Sequence, residues 1–424
     1  MAFFSKLTDQ YAELWKAVIR PPRDKYELKD LGPSVFSIEN RTYQRTDLMM
    51  KNPRGLNLVC SHFEPIPSER VAERLPCVIY LHGNCSSRLE AVSTLPVLLP
   101  FNITVFCLDF AGSGLSDGEY LSLGYFERDD LEVVVNYLRE SSSVTCIGLW
   151  GRSMGASTAL LHADRDPSIA GMVLDSPFSE LRVLCEELVD VYTNNKIPRW
   201  VVGIALAMVR SSIWQHAAFD IFDLSPIQHV SNSFAPALFT AAYNDSFIRP
   251  HHAKELHDAY SGDKNFLMLE GDHNSARSRF FMDSVAIFFF NTLQCDQLPH
   301  QRSISHTLGL HLQAQSEARA SGATRSVFGS GADAGSSSAS AAMAAFGAMG
   351  ESSPIALALD GQEGGAGPSR SRPAATSALA AKPTSQAVGE AAGIAESVEE
   401  TQGLGLQMRA PDRGAGMAVA FAPD

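Results

Sequence analysis

No apolar run in this 424-residue chain is long enough to cross a bilayer. The longest, WVVGIALAMV (200–209), stops after ten residues at Arg210 and suits a packed helix. Clusters of lysine and arginine are missing too. Net charge is −13, of which the first 300 residues carry −10, and an acidic chain of this kind is a poor nucleic-acid binder. The seven cysteines are odd in number and have no paired spacing, which excludes a disulfide framework and points to reduced thiols in the cytoplasm. Beyond residue 301 aromatic residues nearly vanish. That Ala/Gly/Ser-rich stretch has no Trp or Tyr and three Phe (Phe328, Phe346 and Phe421), too little to offset its conformational entropy, so disorder is expected over 301–424.

The first residues lack the continuous apolar stretch of a secretory leader, and Ala2 stands where N-myristoylation needs glycine. Phe4, Leu7, Tyr11, Leu14, Trp15 and Val18 instead form an amphipathic stripe, and Pro21-Pro22 ends the helix within 1–22. Docking on the domain is the expected fate of that helix; contact with a membrane surface is the alternative.

Between these ends, short β-prone runs alternate with helical stretches. The runs are 56–63, 77–83, 103–110, 144–150, 171–177, 236–245 and 265–272, several of them apolar throughout. Continuous apolarity fits strands covered on both faces, so the spacing predicts an α/β domain over 40–296 with a mostly parallel sheet. An interruption at 178–235 is a candidate helical cap or lid.

The stretch GLWGRSMGAST (148–158) sets a serine between glycines just where a strand must turn into a helix. A turn that sharp leaves no room for flanking side chains and lifts Ser153 above the sheet, which is the form of a nucleophile elbow. A serine hydroxyl needs a base, an acid to orient the base, and donors for an oxyanion. His273 alone among the twelve histidines stands directly after the last core strand, in GDHNSAR. Asp245 ends PALFTAAYND, Asp175 in VLDSP is the alternative acid, and Asp272 is a weaker rival. Gly83 in LHGNC lets the backbone N–H of Asn84, or less favourably Cys85, aim at an oxyanion, with Met154 N–H as second donor. Asp109 and Ser116 are expected to tie down a loop. Cys85 reads as a buried thiol, with inhibition by thiol reagents as the alternative. His251-His252 with His257 suggest metal, but with no Cys or acidic residue at ligand spacing they read as a solvated helix start; no metal and no cofactor are expected.

The ordered set LHGN, LDFAGSGLSDG, GRSMGA, LDSPF, AAYND and GDHN resembles the α/β-hydrolases of the serine aminopeptidase S33-like group, close to the Bem-like hydrolases and the depalmitoylating acyl-protein thioesterases. It departs from the last of these in having no cysteine before Cys60. The resemblance implies an α/β-hydrolase fold and a serine hydrolase acting on an ester or thioester of a small molecule or acylated protein. The cap segment WVVGIALAMV and the neighbouring Phe178, Leu181, Leu184 and Leu188 are expected to offer an apolar wall to an acyl chain. An aminopeptidase is the competing reading, with Glu186 or Glu187 to meet the substrate amine. A silent hydrolase fold used for binding is the reading from another class.

Overall fold

The computed structural model describes residues 2–193 and 196–299, with side chains from Tyr11 onward (Tyr192 apart). The stretch 301–424, expected to be disordered, and the side chains of Phe4 and Leu7 lie outside them.

The described strands form one sheet. Three of its neighbouring pairs are antiparallel: β1 (Val35–Ile38) with β2 (Arg41–Lys51), β2 with β3 (Asn57–Pro65), and β3 with β5 (Thr104–Leu108). The rest is parallel, in the order β5, β4 (Leu75–Leu81), β6 (Val144–Arg152), β7 (Gly171–Asp175), β8 (Ala237–Ala242), β9 (Lys264–Leu269). Both faces are covered, and successive residues of the central strands alternate between two apolar cores, as a period of two requires. Ile79, Leu149 and Leu174 face one core together with α3 (Glu127–Glu140) and α4 (Met154–Ala163). Val78, Trp150 and Val173 face the other, where α2 (Leu95–Leu98) and α8 (Arg279–Thr292) supply Leu95, Phe281 and Phe289.

Helix α1 (Ala2–Ile19) ends just before Pro21-Pro22. The Tyr11 hydroxyl donates to Met208 O at 2.7 Å and contacts Ser212 Oγ at 2.6 Å, and the Trp15 ring stacks on His216. These partners lie on α6 (Arg199–Ala217), which with α5 (Leu181–Thr193) occupies the insertion between β7 and β8. The part of the expected apolar wall that precedes α6 is closed. Phe178, Leu181, Leu184 and Leu188 are all buried in the first core, because an amphipathic α5 turns that face inward. Helix α6 buries Val202, Leu206 and Val209 but exposes Trp200, Ile204, Met208 and Trp214. Among the described residues, no helix is long and apolar enough to cross a membrane.

Candidate active site

Ser153 sits between the end of β6 and the first residue of α4, at φ +53°. The left-handed conformation of a non-glycine residue costs energy and persists only where surroundings fix it. Its N–H donates to Asp175 O at 2.7 Å, and its carbonyl accepts from Ala156 and Ser157. The flanking glycines are sterically required: a Cβ on Gly155 would stand 2.0 Å from Leu81 O, and one on Gly151 2.3 Å from Gly155 O.

Three loops that follow strands bring Ser153, Asp245 and His273 together, all buried. Asp245 Oδ2 lies 2.7 Å from His273 Nδ1, and His273 Nε2 lies 3.2 Å from Ser153 Oγ. A carboxylate only accepts, so the ring proton belongs on Nδ1 and the lone pair of Nε2 faces the hydroxyl. The other carboxylate oxygen of Asp245 accepts from the N–H groups of Phe247 and Ile248, which fixes the loop. The Phe247 ring packs 5.1 Å, centroid to centroid, from the His273 ring.

Asp175 is engaged elsewhere. It takes a two-pronged ion pair from Arg277, at 2.7 and 3.0 Å, and a hydrogen bond from Thr240. Burial alone would raise its pKa, but the charges of Arg277 and Arg152 hold the carboxyl below the usual range. Asp272 accepts from Asn274 N and Ser275 Oγ and so pins its own turn. Sequence reasoning passed over both arginines. Arg277 and Arg152 each donate to His273 O, at 3.3 and 3.0 Å. The only signal for Arg277 was its place four residues after His273.

On the opposite side, Gly83 N–H donates to Glu90, and His82 Nδ1 lies 2.8 Å from Gly83 O, which steadies the loop before Asn84. Cys85 N–H already has an acceptor in Asn84 Oδ1 at 3.0 Å. Met154 opens α4, so its N–H has no helical acceptor to lose. Burial pushes the Cys85 thiol up to about 12, far from a reactive thiolate. Asp109 accepts from Tyr26, Leu115 N and Arg88 N while Ser116 bonds Asp109 O, a loop fastening.

Glu186 pairs with Arg182 on its own helix, and Glu187 faces His251. That second contact differs from the solvated helix start expected of the histidine pair. Helix α7 (Pro250–Ala259) buries His252 completely, and α5 brings up an acidic partner from 64 residues upstream, which no spacing along the chain could show. Two surface clefts of about 430 and 550 Å³ are lined by other residues, the first by α6 around Arg210 and Trp214, the second around Arg20 and Glu119.

The sheet, the covering helices and the strained serine turn make this an α/β-hydrolase, an enzyme of the serine hydrolase type. Residues 73–244 match the family described as serine aminopeptidase, S33, a stretch that includes Ser153 and ends one residue before Asp245. Over 249 residues the chain is 26% identical to the uncharacterized protein YqkD of Bacillus subtilis, covering 58% of this chain and 77% of that one. Among solved structures it is similar in fold to the hypothetical protein PA2218 of Pseudomonas aeruginosa (TM-score 0.50, 13% identity, 63% of this chain and 98% of that one). It also resembles the Pyrococcus furiosus esterase Pf2001 (TM-score 0.47, 20% identity, 64% and 98%).

Proposed function

We propose that the protein hydrolyses carboxylic esters or thioesters through an acyl-enzyme. Neutral His273 takes the Ser153 proton as Oγ attacks the carbonyl carbon, and Asp245 stabilises the imidazolium. The N–H groups of Asn84 and Met154 donate to the oxyanion. When it collapses, His273 returns the proton to the departing alkoxide or thiolate. Water then repeats the sequence against the acyl-enzyme, which frees the acid.

One observation carries this reading: the unbroken chain from Asp245 Oδ2 through His273 to Ser153 Oγ, at 2.7 and 3.2 Å. A peptidase would need a carboxylate for the substrate amine, and Glu186 and Glu187 are both already paired. The exposed Trp200, Ile204 and Met208 beside α1 favour work near a membrane surface, with acyl groups as the natural cargo.

Fluorophosphonate labelling of wild type and Ser153→Ala is the test. Wild type is expected to form a covalent adduct at Ser153 and turn over p-nitrophenyl esters. The alanine variant is expected to do neither, with turnover down by roughly 10⁴–10⁶-fold. Undiminished hydrolysis by Ser153→Ala would remove the serine mechanism.

A further inference from the structure

Away from the triad, Glu187 of α5 meets His251 and His252 at the start of α7, and the donor atoms of the three lie within 4.8 Å of one another. Glu187 Oε1 is 2.7 Å from His251 Nε2, and Glu187 Oε2 is 3.3 Å from His252 Nε2. His252 is fully buried, and neither its Nε2 nor Glu187 Oε2 has a hydrogen-bond partner. A buried polar atom without one is costly, and here two of them face each other.

A single carboxylate orients both rings from behind. Glu255 Oε1 lies 3.1 Å from His251 Nδ1, and a carboxylate only accepts, so the proton there belongs to the ring. Glu255 Oε2 takes the Ser179 hydroxyl proton at 3.1 Å, which leaves Ser179 Oγ free to accept from His252 Nδ1 at 2.8 Å. Ser179 N–H donates to the same ring nitrogen at 3.3 Å, which in the ion-free protein puts the His252 proton on Nε2; when an ion takes Nε2, that proton moves to Nδ1, where Ser179 Oγ accepts it. Each Nε2 thus faces a Glu187 oxygen, at 2.7 and 3.3 Å, and an ion would take the place of the hydrogen between them. Histidines held by carboxylate or hydroxyl acceptors behind the ring are the usual support of metal-binding imidazoles.

We infer that Glu187, His251 and His252 bind one divalent transition-metal ion of the zinc type. Two imidazole nitrogens and one carboxylate oxygen suit zinc, cobalt or nickel, whereas calcium and magnesium prefer oxygen alone. A water molecule completes the four-coordinate shell. Without the ion, Arg249, 3.5 Å from Glu187 Oε1, offsets part of the carboxylate charge; its half-exposed side chain can leave when the ion arrives. The ion fastens α5 to α7, so it ties the insertion after β7 to the helix that follows the Asp245 loop.

The test uses untagged full-length protein, stripped with a chelator and titrated with Zn²⁺ by calorimetry and with Co²⁺ by visible absorption. Wild type is expected to bind one Zn²⁺ per chain at sub-micromolar Kd, with a rise in Tm and with tetrahedral Co²⁺ bands. His251→Ala, at a half-exposed position, is expected to keep its circular dichroism spectrum and lose affinity by more than ~100-fold. Glu255→Gln, which leaves all three ligands in place, is expected to lose about 10–100-fold. No binding by wild type, or equal binding by His251→Ala, would overturn the site. Binding of several ions indifferent to all variants would mark adventitious surface histidines and overturn it equally.

Discussion

Arg277 grips Asp175 through Nε and Nη2 while that same Nη2 reaches His273 O at 3.3 Å. The ion pair therefore stands behind His273, the proposed base, and this separates the two candidate acids. Asp245→Asn is expected to lower kcat by roughly 10³–10⁴-fold, because an amide favours the wrong imidazole tautomer. Asp175→Asn should cost far less in kcat and far more in stability. Ester kinetics on the two variants, with folding checked by circular dichroism, decide it; the reverse ranking would move the acid to the end of β7.

Removing one partner of a buried ion pair leaves an uncompensated charge, a loss of about 3–5 kcal/mol. Both side chains of Arg277–Asp175 are nearly inaccessible, so that range applies to Arg277→Met. The double variant Asp175→Asn with Arg277→Met should recover part of the loss, since no lone charge remains. Urea unfolding of the four proteins in the cycle measures the coupling. Strict additivity would show the pair contributes little.

Much of the parallel sheet was legible because most of its strands carry a continuous apolar run. The run at 144–150 became Val144–Arg152, and 171–177 became Gly171–Asp175. Strand β2, RTYQRTDLMMK, was missed: it lies in the antiparallel edge hairpin, and its burial is irregular, so neither apolarity nor strict alternation marks it. Ser153 was legible because glycine spacing is a local steric fact. The Arg277–Asp175 pair spans 102 residues and the Glu187–His251 contact 64, and contacts of that kind leave no trace in local spacing.

Gly155 has no room for a methyl group, since Leu81 O and His82 O would stand 2.0 and 2.9 Å from it. Both obstacles are backbone, in the strand and loop that lead to Asn84, and backbone yields less readily than a side chain. Gly155→Ala is expected to lose stability at or beyond the upper end of the ~1–3 kcal/mol typical of overpacking, and activity with it. Thermal unfolding of soluble protein measures this. A wild-type Tm with full activity would mean that the elbow yields freely.

His62, buried on β3 against Phe106, is held neutral: burial brings its pKa down from 6.5 to about 4. The sign follows from proton counts. Below pH 6.5 the unfolded chain takes up a proton that the folded chain refuses, so stability falls as pH drops toward 4. That interval corresponds to a loss of order 3 kcal/mol. His62→Leu should flatten this part of the profile. Urea unfolding at several pH values from 7.5 to 4.5 gives both slopes, and parallel curves would show that His62 does not carry the acid sensitivity.

Phe247 sets a large, half-buried apolar ring against His273, within the loop that Asp245 fixes. Under the proposed function, an acyl chain extending from Ser153 over that ring would leave water at a gain of about 0.8 kcal/mol per methylene. Octanoyl esters are therefore expected to exceed acetyl esters in kcat/KM. Phe247→Ala should narrow that preference more than it lowers acetyl turnover, which separates chain binding from damage to the base. Alanyl and leucyl anilides should be poor substrates, because Glu186 and Glu187 are committed to Arg182 and His251 and a desolvated amine would find no counter-charge. A series of p-nitrophenyl esters run beside the anilides makes the comparison. Anilide turnover above that of the octanoyl ester would replace the esterase reading with the peptidase, and a flat chain-length series would remove Phe247 from the acyl path.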